Sequence, residues 1–268
     1  MAGAGNEGEP LTSFRRAIVR PPGLNFADGL TTVDLGRPDV TRALSQHAAY
    51  CDALERCGLA VTLLAPDLRH PDSTFVEDTA ILTPRGAILT RPGAASRSGE
   101  VEAIRGPLAE FHSEFAEIVA PGTLDGGDVC EAEDHYWIGI SKRTNEEGAR
   151  QLAAILTAKG ATSALVDVRA VSGILHLKSG IAYAGEGRVV AIEALAGHPA
   201  LSSHEVVPVF PAETYAANCV RVNDRLLFAA GHPRLEGTLR AMGYDLLLLE
   251  MSEFQKMDGG LSCLSLRF

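Results

Sequence analysis

The sequence has no long apolar run, and this excludes several classes of protein. Its longest apolar segments, residues 59–66 and 246–249, have the length of strands, whereas a membrane-spanning helix needs about 20 apolar residues. The first residues also lack the basic end and apolar segment that are typical of a secretory signal. We therefore expect a cytoplasmic protein without a membrane partner.

Cysteine and positive charge are also scarce. The five cysteines show no CxxC spacing, so the sequence indicates neither a disulfide framework nor a zinc ribbon. The net charge of −10 argues against a nucleic-acid partner, since phosphate backbones attract basic surfaces.

Apolar residues, in contrast, are plentiful. They make up 46% of the 268 residues, which is enough to bury a large core. Residues 1–13 are small, polar and glycine-rich, and such segments bury too little surface to become ordered. We expect a disordered tail at residues 1–13 and a single domain over residues 14–268.

A unit of strand, strand, helix and strand recurs along the chain. One copy is predicted over residues 79–119 and a second over residues 129–168, and hairpins at residues 181–192 and 220–229 begin two more. A polar residue or a cysteine precedes each unit at regular intervals. These landmarks are Asp78, Asp128, His176, Asn218 and Cys263. Five units are implied.

The fifth unit is divided between the two ends of the chain. Its first strand is predicted at residues 263–268, and its second strand, helix and third strand at residues 14–64. Joining the two ends in one unit would close a ring and leave no open edge between units. The landmarks would then face one central cleft.

Cys263 is the residue around which the rest is organised. It follows a Gly-Gly pair and begins an alternating apolar run that is typical of a half-buried strand. A thiol on such a loop suits a nucleophile, although a cysteine at the start of a strand can equally be a small core residue.

An acid and a histidine complete a possible catalytic set. Asp125 and His176 lie on other segments, and together with Cys263 they could supply the nucleophile, the proton shuttle and the group that orients the shuttle. The alternatives are that His176 is a core histidine and that Asp125 caps a tight turn.

Several more acids are expected at the same cleft: Asp72, Glu77, Asp78 and Asp258. Carboxylates would disfavour an anion but suit a planar cation such as guanidinium, whose donors each need an acceptor oxygen. Amidine chemistry is the interpretation that we favour, although such acids can also be solvated.

Six motifs carry a resemblance to a known family. They are FVEDTAILTPRGAILTRPGAASR, LDGGDV, GISKRTNEEG, LHLKSG, AANC and MDGGLSCLSL, in this order between residues 75 and 266, and the resemblance runs from about residue 14 to residue 268. Together they resemble dimethylarginine dimethylaminohydrolase, of the guanidino-modifying superfamily. The resemblance implies a five-bladed α/β propeller and hydrolysis of methylated arginine to citrulline and a methylamine, without a cofactor or metal.

The resemblance also implies roles for individual residues. The nucleophile falls on Cys263, the general acid and base on His176 and the orienting acid on Asp125. Asp78 and Glu77 would hold the guanidinium group. The remaining implied contacts, which include a lid residue and two arginines for the α-carboxylate, are Leu30, Asp72, Phe75, Arg97, Arg143, Met257 and Asp258.

Other functions remain open. Arginine deiminases of the superfamily carry an added helical region and an aspartate two residues after the histidine, where this chain has Lys178. An amidinotransferase would use an amine in place of water. A ribosome-binding factor with the same ring performs no catalysis, so the fold alone does not give the function. We expect a small-molecule partner and a monomer or homodimer.

Overall fold

A computed structural model describes residues 13–268, which form five small sheets of three strands each. The predicted tail lies outside the described residues, except for Ser13. The strands, in chain order, are β1 (Arg16–Val19), β2 (Ala60–Leu63), β3 (Ala80–Thr83), β4 (Gly86–Leu89), β5 (Phe115–Glu117), β6 (Val129–Ala132), β7 (His135–Ile140), β8 (Thr162–Asp167), β9 (Ile181–Gly185), β10 (Arg188–Ile192), β11 (Glu205–Val209), β12 (Val220–Val222), β13 (Arg225–Ala229), β14 (Asp245–Leu249) and β15 (Ser265–Arg267).

Helices connect the second and third strands of the units. They are α1 (Val40–Arg56), α2 (Glu100–Ala109), α3 (Glu146–Ala158), α4 (Glu193–Ala196) and α5 (Pro233–Ala241), and a further short helix, α6 (Ser252–Gln255), precedes the last unit. The longest helix begins directly after Asp39, which accepts a hydrogen bond from the Arg42 amide as an N-cap. It ends before Gly58, whose φ of +89° favours glycine.

Each sheet has the same topology, which confirms the repeat. The first two strands form an antiparallel hairpin, and the third strand pairs in parallel with the second after the helical crossover. In the third unit the helix is only the short α4, for which no helix was predicted from the sequence. The five units are the blades of a five-bladed α/β propeller.

The two ends of the chain meet in the fifth blade. Strand β15 pairs with β1 in antiparallel register, Ala17 opposite Arg267, and β1 pairs in parallel with β2. The predicted ring closure is confirmed. Buried side chains pack between the helices and the sheets and between neighbouring blades.

A short 3-10 turn precedes the first strand of every blade. The five turns are Val76–Thr79, Gly126–Asp128, Leu177–Ser179, Pro211–Ala217 and Ser262–Leu264. They correct one prediction, because Cys263 lies within such a turn and the strand starts only at Ser265. Turns of neighbouring blades contact one another around the axis, so the landmark residues are brought together.

Across residues 13–268, every helix is too short or too polar to cross a lipid bilayer.

Candidate active site

The turns surround a small cavity that contains most of the predicted site. Its volume is about 20 Å³, which is room for little more than one water molecule. The side chains that line it are Leu30, Asp72, Phe75, Asp78, Arg97, Arg143, Leu175, His176, Met257, Asp258, Gly259 and Cys263. All of these except Leu175 and Gly259 were predicted from the sequence.

His176 and Asp125 form a buried pair, as their predicted roles require. The imidazole Nε2 lies 3.0 Å from Asp125 Oδ2, and the other carboxylate oxygen accepts a hydrogen bond from the Gly93 amide at 2.8 Å. Asp125 is fully buried and His176 is 7% exposed. The aspartate therefore fixes the orientation of the ring.

The charge of His176 is set by three carboxylates. Burial alone would lower its pKa, but Asp128, Asp78 and Asp125 together raise the pKa to about 9. An imidazolium at neutral pH can donate a proton to a departing amine.

Asp128 was predicted to face the central cleft as a landmark residue, but no role was predicted for it. Its carboxylate accepts hydrogen bonds from the Leu177 amide at 2.9 Å and from Ser141 Oγ at 2.6 Å. It is fully buried. Asp128 thus anchors the turn that follows His176.

Asp78 lies beside a buried arginine. Its Oδ2 accepts a hydrogen bond from Arg97 and its Oδ1 accepts one from the Gly127 amide at 2.8 Å. Burial would raise the pKa of Asp78, but the charges of Arg97 and His176 lower it to about 2. The carboxylate stays ionised, and each of its oxygens retains a lone pair for a further donor.

Arg97 has more partners than a free substrate-binding arginine would have. Besides Asp78, its guanidinium binds the Glu100 carboxylate at 2.7 Å and the Phe75 carbonyl oxygen at 3.1 Å. It is 4% exposed. The prediction that it binds a carboxylate of the substrate stays a prediction, and its present contacts favour holding Asp78 in place.

The Arg143 side chain, unlike that of Arg97, donates no hydrogen bond among the described residues. The backbone N–H of Arg143 donates to Ser141 Oγ, and its side chain lines the cavity while remaining partly exposed. Its guanidinium is therefore the better placed of the two for an incoming carboxylate.

The Cys263 thiol also faces the cavity. Burial raises its pKa to about 12, and the carboxylates of Glu77 and Asp78 act in the same direction. The thiol is therefore protonated at neutral pH when no cation is bound, and a positively charged ligand beside it would favour the thiolate.

The two glycines before Cys263 allow close packing of its loop. A Cβ on Gly259 would lie 2.3 Å from the Phe75 ring, and a Cβ on Gly260 would lie 2.5 Å from Asn218 Oδ1. Larger residues at either position would displace the loop that carries the thiol.

A short segment, residues 29–33, covers the cavity; we call it the strap. The Leu30 amide donates to both oxygens of Asp72, at 3.1 and 3.2 Å, and the Thr32 amide donates to Asp258 Oδ2. Burial raises the pKa of Asp72. The strap is thus joined to two acids that line the cavity, Asp72 and Asp258.

Among the described residues that line this cavity, Glu77 is absent, and its contact with a guanidinium group stays a prediction. Its carboxylate binds Lys178 Nζ at 2.6 Å and accepts a hydrogen bond from Ser262 Oγ at 2.8 Å. Its neighbour Asp78 is the acid that faces the cavity. Glu77, Lys178 and Ser262 form a polar layer beneath the cavity.

A larger cavity of about 360 Å³ lies on the other side of that layer. Glu77, Lys178, Ser262 and Arg267 are among its lining residues, but Cys263 and His176 are not. Size therefore does not identify the site, because the nucleophile and its proton shuttle line the smaller cavity.

The carboxylates of Asp78 and Asp125 and the imidazole of His176 also satisfy the spacing of a metal site, since one atom of each lies within 4.8 Å of the others. However, Arg97 and the Gly127 amide bind Asp78, and Asp125 is bound by His176 and the Gly93 amide. The arrangement fits an acid–base cluster.

Comparison with known proteins gives consistent results. Residues 40–194 match a family model described as arginine deiminase. The dimethylarginine dimethylaminohydrolase of Pseudomonas aeruginosa is 44% identical over 256 residues, covering 95% of this chain and all of that protein. The enzyme of the same name from Streptomyces coelicolor is 36% identical, covering 94% of this chain and 96% of that protein.

Solved structures of related enzymes have the same fold as this chain. A mutant of the Pseudomonas aeruginosa enzyme complexed with citrulline has a TM-score of 0.93 and 43% identity, covering 96% of this chain and 100% of that one. The N-terminal domain of an arginine dihydrolase from cyanobacteria has a TM-score of 0.84, covering 96% of this chain and 97% of that domain, and at 18% identity it supports the fold alone. Because the likeness to two curated members runs along almost the whole sequence, the chain belongs to the dimethylarginine dimethylaminohydrolase family.

Proposed function

We propose that the protein hydrolyses N-omega-methylated arginine to citrulline and dimethylamine or methylamine. The observation that carries the proposal is one cavity lined by a thiol, an imidazolium and an ionised carboxylate, Cys263, His176 and Asp78, in a member of this family. The small-molecule substrate and the roles below follow from that arrangement.

In the first step the Cys263 thiolate attacks the guanidinium carbon, and a carbon–sulfur bond forms. Asp78 accepts hydrogen bonds from the guanidinium nitrogens, which holds the carbon near the sulfur. The bound cation lowers the pKa of the thiol in the complex, and the thiol proton passes to solvent before the attack. The carbon–nitrogen bond to the methylated nitrogen then breaks, and His176 donates the proton that makes dimethylamine or methylamine a leaving group.

In the second step His176, now neutral, takes a proton from water. The resulting hydroxide attacks the same carbon, the carbon–sulfur bond breaks and citrulline leaves. The proton of the new hydroxyl group passes to the sulfur, which restores the thiol. Asp125 keeps the imidazole oriented through both steps.

The amino-acid end of the substrate has its own partners. Asp72 offers a carboxylate to the α-ammonium group, Arg143 offers a guanidinium to the α-carboxylate, and Arg97 is the second arginine near this end. The carbon chain of the substrate, between its two ends, is enclosed by Leu30, Phe75 and the loop at Met257 and Asp258.

Arginine deimination is the second candidate. The pair of Lys178 and Glu77 argues against it, because a lysine occupies the position of the aspartate expected in deiminases, and its ammonium group neutralises Glu77 beneath the cavity. A non-catalytic binding protein would have no need for an imidazolium held by three buried carboxylates. We expect the protein to act in the cytoplasm, as a monomer or homodimer.

A panel of substrates separates these functions. Purified protein should release citrulline from asymmetric dimethylarginine and monomethylarginine and much less from arginine, with added amines leaving the product unchanged. Faster turnover of arginine would favour a deiminase, and transfer to the amine would favour an amidinotransferase.

A further inference from the structure

Asn218 has no part in the chemistry above, although it occupies the landmark position of the fourth blade. It follows the 3-10 turn Pro211–Ala217, precedes β12 and is 7% exposed. A buried amide has two donor hydrogens and an acceptor oxygen, all of which need partners.

The partners of this amide lie next to the two reacting side chains. Nδ2 donates to the Lys178 carbonyl oxygen at 2.8 Å and to Ser262 Oγ at 3.0 Å, while Oδ1 accepts from the Ser262 amide at 2.9 Å. Lys178 comes two residues after His176, and Ser262 comes directly before Cys263. The Asn218 side chain thus joins the turn of the imidazole to the turn of the thiol.

The same contacts continue into a closed network. Ser262 Oγ donates to Glu77 Oε2 at 2.8 Å, and Glu77 Oε1 lies 2.6 Å from Lys178 Nζ. We call Glu77, Lys178, Asn218 and Ser262 the floor network. Glu77 directly precedes Asp78, so the network is tied to the guanidinium-binding acid as well.

Strand pairing does not fix the distance between these turns. Hydrogen bonds of the sheets join strands within one blade, whereas His176 precedes the third blade and Cys263 the fifth. The fourth blade lies between them. Only contacts between blades can hold the two turns in register, and Asn218 supplies three such hydrogen bonds from one side chain.

We propose that Asn218 is a positioning residue that fixes the Cys263 thiol relative to the His176 imidazole. The inference rests on the proposed hydrolysis, in which the imidazole must reach both the leaving amine and the attacking water at the carbon bound to sulfur. A misplacement of about 1 Å in such a site can lower the rate roughly 100-fold.

A matched control lies at the other end of β12. Asn223 also makes three hydrogen bonds, from Nδ2 to the carbonyl oxygens of Phe14 and Cys57 and to Oδ1 from the Phe14 amide. It joins the fourth and fifth blades away from Cys263 and His176. Asn218→Ala and Asn223→Ala therefore each remove one asparagine side chain that makes three hydrogen bonds. Asn223 is half-buried and has a φ of +56°, so its replacement by alanine also brings backbone strain.

The first test compares kcat and KM for asymmetric dimethylarginine. Asn218→Ala should lower kcat by roughly 10- to 100-fold with KM within about 2-fold, while Asn223→Ala should leave kcat within about 2-fold of the wild type even if it unfolds more easily. Equal losses of kcat in the two variants would overturn the proposal. If Asn218→Ala does not fold, Asn218→Asp, which keeps the acceptor and loses both donors, takes its place.

The second test is a double-mutant cycle with His176→Ala. The rate that is compared is formation of the covalent adduct at Cys263, which His176→Ala is expected to retain. If Asn218 acts by positioning the imidazole, Asn218→Ala should slow this step little further once the imidazole is absent. A loss of the same size in both backgrounds would contradict this role.

A third measurement separates this proposal from the proposed function. Alkylation of Cys263 by 2-chloroacetamidine, followed by mass spectrometry, requires the thiol and an amidinium site but no turnover. It should be slower in Asn218→Ala and unchanged in Asn223→Ala. If methylarginine is not hydrolysed and this difference persists, the proposed function fails and the positioning role stands; if the difference is absent, the positioning role fails.

Discussion

His176 shows how single residues determine the chemistry of the site. An isolated histidine is mostly neutral above pH 7, but three buried carboxylates keep this one protonated. The motifs LDGGDV and LHLKSG point to Asp125 and His176 from the sequence alone, because a short motif is defined by the identity of its residues. They could not identify the role of Asp128, because that depends on which amide its carboxylate meets in three dimensions.

The raised pKa predicts a pH dependence of folding. The pKa of His176 is raised from an ordinary 6.5 to about 9, so its contribution to stability is fully present below pH 6.5 and is lost as the pH rises through 9. Urea unfolding of the wild type between pH 6 and 10 should show this loss. The variant His176→Ala should lack that part of the decline, and parallel pH profiles for the two proteins would contradict the assignment.

The two arginines are expected to respond differently to removal. Arg97→Ala leaves the buried carboxylates of Asp78 and Glu100 without their cation, so it should lower the free energy of unfolding by about 3–5 kcal/mol. Arg143→Ala should leave stability nearly unchanged and raise KM several-fold more than it lowers kcat.

Urea unfolding and steady-state kinetics measure these effects, with an alkylguanidine that lacks the α-carboxylate as the control substrate. Arg143→Ala should lose little further activity on that substrate. If Arg143→Ala slowed both substrates equally without raising KM, Arg143 would be a structural residue instead.

The strap, residues 29–33, is the element whose position the sequence predicts least. Its glycine-rich loop has no periodic pattern, and its place is set by contacts with Asp72 and Asp258, which are distant in sequence. The repeated blades, in contrast, follow from apolar periodicity. The start of β15 was misplaced because the alternating run at Cys263 does not distinguish a 3-10 turn from the strand that it enters.

Releasing the strap should change substrate binding. Asp258 has a φ of +57°, which glycine tolerates, so Asp258→Gly removes the acceptor of the Thr32 amide with little backbone strain. We expect faster association and faster dissociation of the substrate, with a higher KM. Stopped-flow binding to Cys263→Ser in the presence and absence of this change measures both rates, and unchanged rates would show that Asp258 does not hold the strap.

At the scale of the whole molecule, the strand pairing that closes the ring also holds the turn with Cys263 in place. Strand β15 begins one residue after the turn that carries Cys263, so the thiol depends on the pairing of β15 with β1. Recognising the fifth blade from the sequence required the repeat, because its strands are separated by most of the chain.

Removing residues 265–268 should therefore open the ring. The truncated protein should lose cooperative unfolding and activity together, as followed by near-ultraviolet circular dichroism and citrulline release. Phe268→Ala, which keeps β15 and removes one partly buried ring that packs on Phe111, His112 and the neighbouring apolar cluster, serves as the control and should remain folded. A truncated protein with wild-type activity would show that closure is dispensable.

The most direct test of the central claim follows both products from asymmetric dimethylarginine. Wild-type protein should release citrulline and dimethylamine in equal amounts, Cys263→Ser should release neither and form no adduct, and His176→Ala should lose turnover while mass spectrometry detects substrate bound covalently to Cys263. Absence of both products with the wild type, or wild-type turnover by Cys263→Ser, would contradict the account.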